Sequence, residues 1–378
     1  MTTTPAAQIT PLSSKPTGAP PPARPSRRAR IEEAVLPAVV ALVIAAIVGD
    51  VLILSFGQSP GTVYRELLEG TWGNAYGLGQ VLYKATTLSF TGLAVALGLR
   101  AGLFNIGAES QLAAGGFAAA LIGMALPVEL PALVTLPLYI LAAAAGGGVV
   151  AGIPGVLKAK FGAHEVITTI MLNFIVLAFL NYMISAHLKV PDTLHTPEIH
   201  TGEVPRISSF IPAFHGSPAN LVILLALAAG GATWWLLFRT RRGFELRATG
   251  LQPLAAEYGG VNVGGVWWRT MVLSGALAGA GGLNYVLGYK HYYEEGFAAG
   301  AGFLGIAVAI VGRSHPVGVM LAALLFATIS QGGLAVNALV PKQIVDVLQA
   351  VVIIAVAASV PEVRRVLRTY RRPESTAA

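Results

Sequence analysis

Cysteine is absent from this 378-residue chain, so neither a disulfide framework nor a thiolate metal site can be built from it. Charge is nearly as scarce. Only 11% of the residues are charged against 54% hydrophobic, and the mean hydropathy is +0.68, values a soluble domain of this length does not reach. Enzyme signatures are missing too. No G-x-x-x-x-G-K-[ST] occurs, and no lysine is followed by Ser or Thr, so the chain itself offers ATP no P-loop. HEVIT at 164–168 has Thr168 where a zinc-protease helix needs its second histidine. His187, His195, His200 and His215 fall in one polar stretch at irregular spacing, the pattern of a solvated loop; no metal site is expected.

What the chain has is long apolar runs. They sit at 35–56, 78–99, 105–124, 133–157, 166–184, 221–238, 266–287, 297–311, 317–334 and 344–360. The fold class is therefore all-α: a polytopic membrane protein of about ten transmembrane helices. The run at 297–311 is short for a full crossing and reads as a tilted span or a broken, re-entrant element. Gly146, Gly147 and Gly148 read as an interruption of the fourth run. Residues 1–34, rich in Pro, Thr, Ser and Ala and ending in a basic cluster, are expected to be a disordered cytoplasmic tail. The permease-like body runs over 35–360, and 361–378 form a second basic tail. A polar, proline-punctuated stretch at 185–217 is too long to be a mere connection.

The +7 formal charge does not point to nucleic acid, because the basic residues lie in short runs between apolar segments and share no soluble face. Their distribution sets an orientation instead. With the N-terminus inside, Arg65, Lys84, Lys189, Arg206, Lys290 and Lys342 fall outside, and the other 19 of the 25 Lys and Arg fall inside. Both ends are thus expected in the cytoplasm. LAVALGLR at 93–100 and IAVAIVGR at 306–313 also match as an internal repeat, each ending in arginine before a Gly- and Ala-rich run.

Polar residues inside the apolar runs are the candidate chemistry. Asn105, Glu109 and Gln111 interrupt 102–123, and Asn173 lies two to three turns into 166–184. In lipid each needs a protein partner or a wet path. Interhelical hydrogen bonding explains Asn173 as well as solute contact does, and Glu109 could complement a helix N-terminus. The second informative stretch is 239–265. Leu246, Leu251 and Leu254 stand there among charges and small residues, with Pro253 near a turn and Gly259–Gly260 as a stop, so 246–258 is expected to be a short helix exposing its leucines. A basic anchoring loop would explain Arg239, Arg241 and Arg242 but not those leucines.

Three of these segments carry a resemblance. GLFNIGAESQ at 102–111 resembles the signature GLFNIGAEGQ of membrane permeases of ATP-binding-cassette (ABC) importers for nucleosides and simple sugars, with Ser110 in place of Gly. HEVITTIMLNF at 164–174 is similar to a second motif of that family, with His164 where Asn is usual. LRATGLQPLAAEYGGV at 246–261 resembles its coupling segment, through Leu246, Arg247, Ala248, Gly250, Pro253, Ala255, Ala256 and Gly260. The resemblance spans about 78–360. It implies a permease, not an enzyme, in a bacterial plasma membrane. A separate ATPase subunit would use the ATP, a second permease subunit would complete the path, and an exported lipoprotein would deliver the solute; no cofactor would be bound by this chain. Asn105, Glu109, Gln111 and Asn173 would line the solute path, and Arg247, Gly250, Leu251, Pro253, Leu254 and Glu257 would dock the ATPase. A branched-chain amino acid permease of the same superfamily is the nearest alternative. An ion-coupled secondary transporter is a more distant one, since only Glu109 and Asp346 approach the buried acids it would need.

Overall fold

The computed structural model describes residues 27–127, 130–341 and 343–356, with the backbone alone at 27–38 and 41. Of the tails expected at 1–34 and 361–378, residues 1–26 and 361–378 lie outside the described residues, and the backbone at 27–34 is helical. Every named element is a helix: α1 Arg27–Ser55, α2 Pro60–Thr71, α3 Ala75–Arg100, α4 Ala108–Ala125, α5 Ala132–Phe161, α6 Glu165–Met183, α7 Val222–Arg239, α8 Arg241–Leu251, α9 Pro253–Tyr258, α10 Val263–Ala280, α11 Leu283–Tyr285, α12 Ala301–Val311 and α13 Pro316–Ala335. A last helix, α14, covers Gln343–Val356. Two π-type turns extend α6 to Leu188 and α11 to Lys290.

Among the described residues, six helices are long and apolar enough to cross a membrane: α3, α5, α6 with its extension, α7, the α10–α11 run and α13. A seventh is counted if α1 and α2 are one span, bent by 111° at the break between them. The expected count of about ten is thus met only in part. Helices stand at the other expected places, but among the described residues α12 and α14 cover 11 and 14 positions, and α4 carries Glu109, Ser110 and Gln111 in its first turn. About 20 apolar residues are needed to span alone. α1 starts at Arg27, ahead of the expected 35, because the arginines, alanines and glutamates there are good helix formers. α2 was not expected; its signal is Ser59 before Pro60 at the first helical turn.

α3 is the hub. Its second half, from Leu88 to Gly98, is buried residue after residue, with α4, α7, α10, α12 and α13 around it. Side chains small enough to bring backbones together dominate the rest of the core. The glycine run in α5 does not interrupt that helix, which is continuous from Ala132 to Phe161. It forms a seam instead: a Cβ on Gly147 would lie 2.1 Å from the Gly275 carbonyl oxygen, and one on Gly279 2.2 Å from that of Ala143. α5 and α10 therefore meet backbone to backbone, which in lipid substitutes van der Waals contact for a hydrophobic driving force.

The two repeat segments pack against each other. A Cβ on Gly92 would meet Val308 at 2.6 Å and one on Gly305 would meet Thr91 at 2.6 Å. At the ends of both, Arg100 Nε donates to the Ser314 carbonyl at 2.8 Å. At the opposite end of the bundle, 190–206 is an ordered strap. Thr196 N donates to Tyr293 O (2.9 Å), Ile199 N to His291 O (2.7 Å), and Arg206 Nη2 to Tyr289 O (2.8 Å).

Candidate functional site

α3 ends at Arg100, and Gly102, at φ +74°, turns the chain back. Residues 103–105 belong to no regular element and fold back against α3, with Leu103 N donating to Gly98 O. At Asn105 the chain lies beside Gly98, where a Cβ would be 3.6 Å from that of Asn105. There Ser274 Oγ donates to Ala94 O (2.6 Å) and accepts from Asn105 Nδ2 (2.8 Å). α4 therefore starts inside the bundle, where no water reaches its first N–H groups. Side-chain amides satisfy two of the N–H groups there. Asn105 Oδ1 accepts from Gly107 N at 3.0 Å and Asn173 Oδ1 from Ser110 N at 3.2 Å. Asn105 and Gln111 also pair amide to amide, at 2.8 and 2.9 Å, and Asn173 Nδ2 donates to Ile106 O at 3.0 Å.

α12 presents the same problem from the other direction. Eleven residues reach about 16 Å, half a hydrocarbon core, so its N-terminus also lies within the bundle. Glu109 solves it. Oε1 accepts from Gly300 N (2.8 Å) and Oε2 from Gly302 N (2.7 Å). The two N-termini abut, since a Cβ on Gly302 would fall 2.2 Å from Glu109 N. Each N-terminus carries roughly half a positive charge; one carboxylate between two of them leaves the junction close to neutral. That offsets the burial of a glutamate that has no cationic partner among the described residues.

A cavity of about 280 Å³ opens beside this junction, walled by Tyr83, Thr87, Leu112, Tyr285, Phe297 and Ser330 among others. Tyr285 and Phe297 are 4.9 Å apart, ring centre to ring centre. Asn284 Nδ2 fixes the α3 side by donating to Tyr83 O and Thr87 Oγ1, both at 2.9 Å. Sequence reasoning missed these aromatics; the available signal was Asn284, an amide inside an apolar run.

At the end of the bundle where α3 finishes, α8 and α9 form an angled pair. The helix starts at Arg241, not at Leu246, because Thr240 caps it through Gly243 N at 3.0 Å. Gln252, in an extended conformation, and Pro253 split it. Leu246 is not exposed as expected: it is 5% exposed and packs with Leu97, Leu103, Leu237 and Met271. It shares with Gly243 and Thr249 the helix face turned inward. Leu251, Leu254 and Tyr258 are 85%, 64% and 94% exposed, and Glu257 is exposed beside them. Gly250 sits against the turn after α3, where a Cβ would lie 2.2 Å from the Arg100 carbonyl oxygen. Arg247 and Arg100 lie over the Phe238 ring at 5.4 and 5.8 Å. The expected site residues thus form two groups: Asn105, Glu109, Gln111 and Asn173 inside the core, and Arg247, Gly250, Leu251, Pro253, Leu254 and Glu257 on the α8–α9 pair. The α3–α4 turn joins the two. Among the described residues no group of acids and histidines could hold a metal ion.

Comparison with known proteins gives a family. A family described as branched-chain amino acid transport system / permease component matches residues 77–357. A guanosine ABC transporter permease protein of Bacillus subtilis, NupP, is 38% identical over 85% of this chain and 92% of its own. A nucleoside ABC transporter permease protein of Lactococcus lactis, NupB, is 33% identical over 85% and 90%. A glucose ABC transporter permease protein of Haloferax volcanii, TsgB13, is 34% identical over 84% and 85%. No solved structure matches.

Proposed function

Because the chain belongs to the family of branched-chain amino acid transport system permease components, we propose that it supplies the solute path of an ABC importer whose cargo is a neutral nucleoside or simple sugar. The observation that carries this is the junction of α4 and α12. In a transporter, a helix N-terminus in mid-membrane is where a solute carboxylate would bind. Here Glu109 already occupies it. The adjoining cavity offers aromatic faces from Tyr285 and Phe297 and hydroxyls from Thr87 and Ser330, suited to a nucleobase or a sugar. The names of the relatives, guanosine, nucleoside and glucose permeases, agree with that solute class. An ion-coupled cycle finds less support, since Glu109 is bonded to backbone and Asp346 is exposed.

In this reading Asn105, Glu109, Gln111 and Asn173 form the wall behind the cavity, holding two helix N-termini in register while Leu112 and Phe297 face the solute. The α8–α9 pair takes the ATPase through Leu251 and Leu254, with Arg247 and Glu257 setting register and Pro253 setting the angle between the helices. Gly250, against the α3–α4 turn, passes its movement to the α4 N-terminus. A second permease subunit completes the path, and the strap at 190–206 meets the lipoprotein that delivers the solute. Both chain ends lie in the cytoplasm of a bacterial plasma membrane, and ATP binds to the partner alone. Uptake assays with the complete importer test the cargo. Labelled guanosine or glucose should accumulate and leucine should not, and Phe297→Ala should lower nucleoside uptake roughly tenfold, the worth of one lost base stack. Leucine uptake above that of either neutral solute would overturn the reading. For orientation, Ser209→Cys should label from outside the cell and Gln252→Cys only after permeabilisation; the reverse would invert the topology.

A further inference from the structure

A cleft lies where the end of α7, the start of α8 and the start of α10 come together, apart from both the cavity and the exposed leucines of α8–α9. It encloses about 410 Å³, walled by Leu236, Leu246, Val272 and Leu273, and Arg242, Arg269 and Trp268 also line it. Both arginines are exposed, and among the described residues neither has a hydrogen-bond or ion-pair partner. The one carboxylate lining the cleft, Glu245, is already held by Arg241 at 2.9 Å. An apolar slot carrying two uncompensated positive charges is therefore left.

Its level in the membrane follows from its walls. α7 and the α10–α11 run are both long and apolar enough to span, and the cleft sits where one ends and the other begins. Tryptophans cluster at that level: Trp234, under the Arg239 guanidinium at 5.5 Å, and Trp267, under the Lys158 ammonium at 5.3 Å, with the exposed Trp235 and Trp268. Such a belt marks the boundary between hydrocarbon and headgroups. We propose that this cleft binds an anionic phospholipid, one acyl chain against Leu236 and Leu273 and the phosphate between Arg242 and Arg269. A soluble anion would find charge but no use for the apolar walls. A zwitterionic lipid would fill the walls but leave the arginines uncompensated. Basic recesses between helix ends on the cytoplasmic side are suited to acidic headgroups on electrostatic grounds alone.

The test uses the complete importer, delipidated in detergent and offered phosphatidylglycerol, phosphatidylcholine or inorganic phosphate, with bound lipid counted by native mass spectrometry and stability followed by thermal unfolding. Phosphatidylglycerol should be retained and should raise the midpoint, and the other two should do neither. Arg242→Gln with Arg269→Gln should weaken retention roughly 30-fold, about fivefold for each arginine near the surface. Leu273→Trp, which fills the cleft and leaves both charges, should abolish retention while the complex still assembles. Equal retention of phosphatidylcholine, equal stabilisation by phosphate, or unchanged binding in the double-arginine variant would each overturn the proposal. So would phosphatidylglycerol binding that appears only once the ATPase is removed, which would make the cleft part of the subunit interface.

Discussion

The segments 102–111 and 241–258 are both polar interruptions in an apolar chain, and they are built in opposite ways. In the first, both amides are buried and bonded inside the chain, Asn105 to Gln111 and Ser274, and Asn173 of α6 bonds the segment at Ile106 and Ser110. In the second, Leu251 and Leu254 lie on the surface beside the exposed Arg241, Arg242 and Glu257, and Leu246 turns inward. The lesson is about where binding capacity resides. A buried polar group whose bonds are complete holds structure together; an exposed apolar side chain on a rigid helix is the one left to meet a partner. Gly250 against the Arg100 carbonyl joins the two, so the α8–α9 pair and the turn leading to the core junction are in contact.

That contrast can be broken most severely at Asn105. Asn105→Leu removes four hydrogen bonds and leaves Gln111 and Gly107 N buried without partners, a loss on the order of 5 kcal/mol. The purified chain should unfold well below the wild-type temperature. A midpoint within a degree of wild type would mean the amides are not structural. Leu251→Asp with Leu254→Asp should show the opposite pattern. Thermal stability should stay near wild type, while roughly 3 to 6 kcal/mol of apolar burial is lost from the docked face, seen as loss of the ATPase on co-purification. Retained ATPase and normal transport would move the docking surface elsewhere.

Glu109→Gln sharpens the comparison within the core. The amide removes the charge between the two helix N-termini and turns an N–H2 group toward one of the two backbone donors, a cost of about 3 kcal/mol. The expected result is a destabilised chain that Glu109→Asp rescues only in part, measured by thermal unfolding. The smallest effect concerns His315, in the turn between α12 and α13. It is stacked on Phe238 at 5.3 Å. Burial, then the nearby Arg100, hold its pKa below the usual 6.5. The unfolded chain takes up this proton before the folded one does, so stability should fall as pH drops below about 6.5 toward the folded value. His315→Gln should flatten that slope slightly; an unchanged slope would assign it to other groups.

Much of this was legible in the residues. Helical class, the positions of the apolar runs and the identity of Asn105, Glu109, Gln111 and Asn173 as the exceptional polar residues all follow from composition and spacing, because a lipid-facing helix tolerates so few departures from apolarity. The exposed Leu251 and Leu254 were legible for the same reason in reverse, but the split into α8 and α9 was not. What the residues could not show was direction. Leu246 turns inward while Leu251 turns outward, although both follow the same helical period, because the faces of α8 are assigned by contact with α3 and α10. The three glycines at 146–148 read as a break, yet they form a seam, because only the approach of α10 gives their missing side chains a use.

Sequence by itself determined that this chain must live in a membrane and which side chains there would need partners; those are properties of single residues and their solvent. Only the tertiary structure decided which partners they take. Glu109 reads as a cap for its own helix, but its oxygens bond Gly300 and Gly302, nearly two hundred positions away. α12 is so short that its first N–H groups fall inside the bundle, where no water can satisfy them, and the abutting N-terminus of α4 brings the one carboxylate within reach.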